Sequence, residues 1–441
     1  MVAAAPQTTR SSPSREAACR WLETLLAASE QPAVAVPSAL APSRAQARER
    51  LAQALAAGSV LPERRLEDWR LTDPSALLRV SPRLACPPAL GGVGASSLDD
   101  STERSGLRLR LDGRGDPLAQ LPVPDGLEPL GADGLQQHLG QALLATRSGD
   151  HWSVRLNQAL GCQLLALRVR AGQPQRLELF SAVEPGAGVL PLRILLLLEP
   201  DARLELFEHH RGGAGALSSV LVEAQLGRGA QLVHGVVGEG QQGCLLRLQS
   251  VVQEPGSELR LVEASSGWDL ARIEPRVVQS AGAARTVLRA LQWVAGRELA
   301  DTHSEVRFEG PDGELDQLHK AVADDAGHSV FHGAVVVPRL AQRTAAAQIS
   351  RGLLLSSRAR IDARPQLEIV ADDVRCTHGA TVSSLQPEQL FYLRSRGIAA
   401  ARAARLLLRG FCDEVLSQLP AGSRGWQPAA WLPAPQEDAH R

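Results

Sequence analysis

From residue 161 onward apolar and polar side chains alternate in short runs, and the runs end in turn signals: Pro185-Gly186, Pro200-Asp201, Arg228-Gly229, Pro255-Gly256 and Pro311-Asp312-Gly313. A period of two puts successive side chains on opposite faces of a strand, and Pro, Gly and Asp suit the dihedrals of tight corners. The segment is therefore predicted to consist of strands joined by tight turns. A small residue followed by alternating apolar positions recurs at Ala202, Ala230, Ser257, Ala284, Gly313 and Ala341, in steps of 28, 27, 27, 29 and 28, with a shorter step of 18 to Ala359. A period in this range indicates stacked units, none able to bury its apolar face alone. Residues 220–226, 245–252 and 272–278 supply a further strand between successive corners, and no helical stretch interrupts them. Each unit reads as one coil of a β-helix, with Leu and Val inside and Arg, Glu and Gln outside. A narrow aliphatic interior also agrees with an aromatic content of 3%. An ordinary β-sandwich with accidental spacing is the rival.

Elsewhere the apolar spacing becomes helical. Ala17, Trp21, Leu25 and Ala28 mark one helix over residues 16–28, and Ala47, Leu51, Ala54 and Leu55 mark a second over 44–57. Residues 135–146 and 151–160 are predicted as two more. Between them residues 84–129 accumulate Gly, Pro, Ser and Asp around one alternating island at 107–111, which predicts a linker or irregular excursion holding a short strand. After Gly379 the repeat ends. Pro387 opens a helix that Gly397 closes, and another runs over 399–416 with Leu407, Gly410, Phe411 and Leu416 as a packing stripe. The expected organisation is a mostly helical region over 1–160, a β-helix core over 161–385, and a C-terminal helical region over 386–441.

The chain has 441 residues, with Lys+Arg 47 against Asp+Glu 48 and a net charge of -1. Nothing in that balance asks for nucleic acid or an anionic membrane surface, which disfavours reading the last two helices as a DNA-binding pair. The apolar run Ile194 to Leu198 is far short of the roughly 18 residues a spanning helix needs, so no membrane is expected. The first residues carry Ser and Arg without acids, like a transit peptide, yet lack an apolar core or amphipathic face, and are read as a frayed tail. Cys19, Cys86, Cys162, Cys244, Cys376 and Cys412 are scattered without paired spacing, which fits a reducing compartment better than disulfides or a self-contained zinc site. Phosphate-loop, serine-hydrolase, metalloprotease and dinucleotide signatures are missing from the sequence. The doublets Asp324-Asp325 and Asp372-Asp373 raise the alternative of a β-helix enzyme acting on polysaccharide. That chemistry needs converging carboxyl groups, whereas neighbours on a strand face opposite ways, so turns or a solvated edge are the favoured reading.

The stretch Asp372-Asp373-Val374-Arg375-Cys376-Thr377-His378-Gly379-Ala380-Thr381 is more informative. If extended, it projects Cys376 and His378 from one face, about 7 Å apart at the strand rise. A thiolate and an imidazole suit iron-sulfur clusters or zinc. Two donors leave a site incomplete, so a metal here needs further ligands from elsewhere, such as another subunit. The alternative is structural, with Cys376 as a small apolar residue and His378 as a hydrogen-bonded terminus of the coil.

Phe331-His332-Gly333, Ala341-Gln342-Arg343-Thr344, Leu353-Leu354-Leu355-Ser356, Pro365-Gln366-Leu367-Glu368-Ile369, the Cys376-to-Thr381 motif and Leu390-Phe391-Tyr392-Leu393-Arg394-Ser395-Arg396-Gly397-Ile398 together resemble the SufB/SufD family of iron-sulfur cluster assembly proteins. Glu67-Asp68-Trp69-Arg70-Leu71-Thr72 and Leu156-Asn157-Gln158-Ala159-Leu160 extend a weaker match toward the N-terminus. The Cys-x-His-Gly-Ala-Thr form looks like the SufD side of the family. The resemblance implies a right-handed parallel β-helix between helical ends, agreeing with the period above. It also implies a non-catalytic scaffold that pairs with SufB, carries a SufC ATPase on its C-terminal helical part, and shares a transient iron-sulfur cluster near the SufB interface. On that resemblance His378 is the family's contribution to the cluster site and Cys376 its neighbour, both as metal ligands. A homodimer remains open, a flavin motif is not found, and the expected location is cytoplasm, or plastid stroma in a eukaryote. His319-Lys320-Ala321 departs from the family's usual Tyr-Lys-Gly, leaving the role of that segment open.

Overall fold

At successive corners one residue takes a positive φ: Asp201 (61°), Gly229 (70°), Gly256 (77°), Ala283 (48°), Asp312 (61°) and Arg343 (58°). Each donates its backbone N–H to a carbonyl of the next corner, Asp201 to Arg228 at 2.8 Å, Gly256 to Ala283 at 2.7 Å and Arg343 to Asp373 at 2.6 Å. Stacked turns of this kind satisfy their own polar groups along a seam. From Gln163–Val169 onward consecutive strands consequently alternate between two sheets, which have ten and nine strands among the described residues, each pairing with the strand one coil away. From Gln163–Val169 to Arg375–Ser384 these ladders are parallel. The computed structural model, which describes residues 15–30, 36–85, 96–98, 106–113, 115–119, 121–161 and 163–426, is thus mainly β, a parallel β-helix with helices before and after it. The expected N-terminal tail, Cys86, Cys162 and much of the 84–129 stretch lie outside the described residues.

Two details of the sequence repeat need correction. Glu314 pairs with Ala345, so Thr344 rather than Ala341 stands beside Gly313. The intervening corner, residues 338–343, is longer than its predecessors, and spacing alone placed the equivalent residue too early. Ala359 precedes a strand of the other sheet, where Arg360 pairs with His328, and is not a further step of the same column.

The interior is aliphatic at its N-terminal end, where Leu177, Leu192, Ile194 and Leu206 are buried; each such side chain contributes about 1.5–3 kcal/mol. Farther along, Arg, Glu and Gln do not stay outside. Glu208 accepts from His234 at 2.7 Å, from Arg247 at 3.1 Å and from His210 at 2.8 Å, and Arg247 also donates to Glu263 at 2.9 Å. All of these side chains are buried. Burying a charge is tolerable only when paired and hydrogen-bonded, and the facing columns of a coil bring the partners together.

Helices cover both outer faces. Arg15–Ala28 and Ala41–Ala57 pack Trp21, Leu22, Leu25 and Leu51 with Val189, Leu246 and Leu270 of the nine-stranded sheet. Residues of the weaker N-terminal match anchor this layer. Trp69 lies 4.2 Å from the Arg272 guanidinium, Thr72 donates to Asp301 at 2.5 Å, and Asn157 donates to the Ser219 carbonyl at 2.9 Å. The helix predicted over 135–146 is broken into Ala132–His138 and Gln141–Ala145, because Gly140 takes φ 85° and gives its N–H to Glu223. At the other end Pro387–Ser395 and Ala400–Leu416 follow the last strand, and Leu408, Cys412 and Val415 pack on Leu291 and Trp293 of the ten-stranded sheet.

Candidate functional site

The strand Arg375–Ser384 is the last of its sheet and pairs on one side only, with Ala345–Leu354. Cys376 stands beside Ala346 and His378 beside Gln348. Both belong to the set that faces the coil axis. Cys376 is part-buried and packs on the interior cluster, while His378 is exposed because no further coil covers this one. The companion strand Arg360–Ile369 contributes Ile361 and Leu367 to the same open end. Partial burial pushes the Cys376 thiol up, outweighing the Ala346 N–H directed at its sulfur. The thiol is therefore protonated near neutral pH, and a metal binding there would displace its proton.

Among the described residues no group of three or more His, Cys, Asp or Glu is placed to hold a metal. The open end offers one imidazole and one thiol, and an incoming ion would need donors from outside this chain. The aspartate doublets do not join them. Asp324 and Asp325 occupy a corner in which Asp325 has φ 50°, and Asp372 and Asp373 occupy an exposed corner tied back through Gln342. Neither doublet forms a groove of converging carboxylates.

Sequence reasoning passed over the polar column beneath His378. Gln348 donates to Gln317 at 2.8 Å, and Gln317 donates to Ser304 at 2.8 Å, all inside the coil. The available signal was a Gln at positions where earlier coils carry Leu261 and Leu288. Lys320 was also missed as a structural element. Its ammonium, 2% exposed, bonds Glu414 and, at 2.7 Å, the Phe411 carbonyl, fixing the last helix to the sheet. His319 beside it points inward, stacks on Phe331 at 4.4 Å, and is held neutral by burial, its pKa pushed down to about 3.

Residues 182–411 match the SufBD core domain of the SUF iron-sulfur cluster assembly system. The chain belongs to the SufBD family. Its relatives include an iron-sulfur cluster assembly SufBD family protein of Synechocystis, 35% identical over 266 residues, which is 57% of this chain and 58% of that protein. A chloroplastic protein of Arabidopsis thaliana is 35% identical over 233 residues, 52% of this chain and 49% of that protein. The protein named SufD in Escherichia coli is 44% identical over 103 residues, 23% of this chain and 24% of that one. The chain thus spans about half the length of the first two relatives. Within the SufBD family it is SufD-like, and the family's role is iron-sulfur cluster assembly. No helix among the described residues is long and apolar enough to cross a membrane.

Proposed function

We propose that this chain is a SufD-like, non-catalytic scaffold subunit that pairs with SufB through its open last coil and carries a SufC ATPase on the C-terminal helical region, residues 386–441. The nascent iron-sulfur cluster is cargo, built at the seam and passed on. His378 supplies an imidazole nitrogen and Cys376 a thiolate, and SufB supplies the remaining ligands. ATP hydrolysis belongs to SufC, since this sequence has no phosphate-binding loop of its own. The working compartment is the cytoplasm, or the plastid stroma in a eukaryotic cell. A second copy of the chain could meet the same open coil and give a homodimer.

One observation carries this reading. A soft and a borderline ligand sit together on a coil end that nothing in the described chain covers, with no third donor grouped beside them. The test is to purify the chain with SufB and SufC and measure iron and acid-labile sulfide in the parent and His378→Ala complexes. A several-fold loss of cluster at unchanged subunit stoichiometry is expected. Unchanged cluster yield would reduce His378 to a structural residue. The packing of Cys376 on the interior favours a purely structural alternative for that thiol; it predicts that Cys376→Ala lowers stability while cluster yield in the soluble complex stays normal.

A further inference from the structure

The inward column that ends at His378 changes character along the coil. Leu261 and Leu288 are followed in register by Gln317, Gln348 and His378. Gln317 is 4% exposed and Gln348 0%, and two amides replace leucines in the core only at a cost in desolvation unless their groups are used. Most are used. Gln348 Nε2 donates to Gln317 Oε1, and Gln317 Nε2 donates to Ser304 Oγ. The Gln348 amide occupies space that a side chain at residue 333 would need, since a Cβ built on Gly333 would lie 2.4 Å from its Nε2. One group is left over. Gln348 Oε1 is fully buried and has no hydrogen-bond partner among the described residues, and the residue beside it on the open side is His378, one strand spacing away at about 4.8 Å.

We propose that Gln348 is the positioning residue for His378, its Oε1 accepting an N–H of the imidazole when the ring takes a metal. Resting on the ligand reading above, this gives the histidine a fixed tautomer. One ring nitrogen is held by the amide oxygen and the other presents its lone pair outward. Histidine ligands commonly need such an acceptor behind them, and its loss typically weakens metal binding about 10–100-fold. The interior column therefore links the coil's packing to the geometry of the exposed site, and Gly333 leaves the room the amide requires.

The experiment uses the complex with SufB and SufC and titrates it with Co(II), following the ligand-field absorption at several pH values. Gln348→Leu is expected to weaken cobalt binding about 10–100-fold. Gln348→Glu keeps an acceptor, so it should bind close to the parent and move the pH midpoint of binding upward, because a carboxylate favours the protonated ring. Gln317→Leu breaks the same interior bond but leaves Oε1 in place. It should lower the melting temperature with little change in cobalt affinity. Parent-like affinity and pH midpoint in both Gln348 variants, or equal weakening in Gln317→Leu and Gln348→Leu, would overturn the proposal. Should His378→Ala bind cobalt as tightly as the parent, the ligand reading itself fails, and the role of Gln348 with it.

Discussion

Glu208 and Glu263 share one guanidinium, that of Arg247, inside the coil, and the low-dielectric interior does not keep both carboxyls charged beside it. Glu208 has Arg247, His234 and His210 around it and is held well below the usual carboxylate range. Glu263, with Arg247 alone against burial and the charge of Glu208, is pushed up to about 7. The two contribute oppositely to stability against pH. Glu208, depressed, stabilises above the ordinary carboxylate range and loses that contribution as the solution is acidified. Glu263, raised, stabilises fully below its unfolded value and loses it as pH rises through about 7. The melting temperature of the parent relative to that of Glu263→Gln should therefore fall as the pH is raised from about 5 through about 7. Glu208→Gln is expected to cost about 3–5 kcal/mol near neutral pH, since it leaves Arg247 without its main counter-charge; urea unfolding measures it, and a loss comparable to a surface substitution would contradict the buried pairing.

The last helix, Ala400–Leu416, is held by an apolar stripe and by one charged clamp. Lys320 reaches it from the sheet, bonding Glu414 and the Phe411 carbonyl with its ammonium 4.1 Å from the Phe411 ring centre. Arg351 reaches the same Glu414 at 3.5 Å. Lys320→Met keeps the stem and removes the charge. Because Glu414 is part-exposed and keeps Arg351, the cost should be about 1–3 kcal/mol and local. Hydrogen exchange should rise across residues 400–416 and leave the coil strands protected; uniform acceleration through the whole chain would show that the clamp is not confined to this helix. If SufC docks there as proposed, the same variant weakens its retention on the complex. The sequence places this helix correctly, yet the departure at His319-Lys320-Ala321 becomes intelligible only when the sheet brings Lys320 under Glu414, 94 residues on.

At the scale of the whole molecule the coil has unlike ends. The early coils are covered by helices and filled with leucine, whereas the last coil is open, polar within and edged by exposed apolar residues, including Val382 at 45%, Ile369 at 39% and Val370 at 66%. An open sheet end with exposed aliphatic groups is a surface for another polypeptide. Val382 shares the face of Cys376 and His378 on the uncovered strand and is left exposed there, so Val382→Asp should leave the melting temperature of the isolated chain almost unchanged and abolish co-elution with SufB in size-exclusion chromatography. Co-elution undiminished by a charge there would move the proposed pairing surface elsewhere.

The alternation, the corner residues and the near-constant period made the β-helix legible, since each depends on a chain's local geometry and recurs coil after coil. The Cys376/His378 pairing on one face was legible for the same reason, as strand parity alone requires it. Which residues became neighbours across coils was not. A corner lengthened at residues 338–343 shifts the register without altering the alternation, so Gln348 could be set beneath His378, and Glu208 beside Arg247, only by the stacked sheets. Charge on the inward face was likewise unreadable, because a charged side chain is stable inside only when its partner arrives from a distant coil. Local pattern determined that the strands wind; long-range pairing decided what their interior holds and which imidazole it presents at the open end.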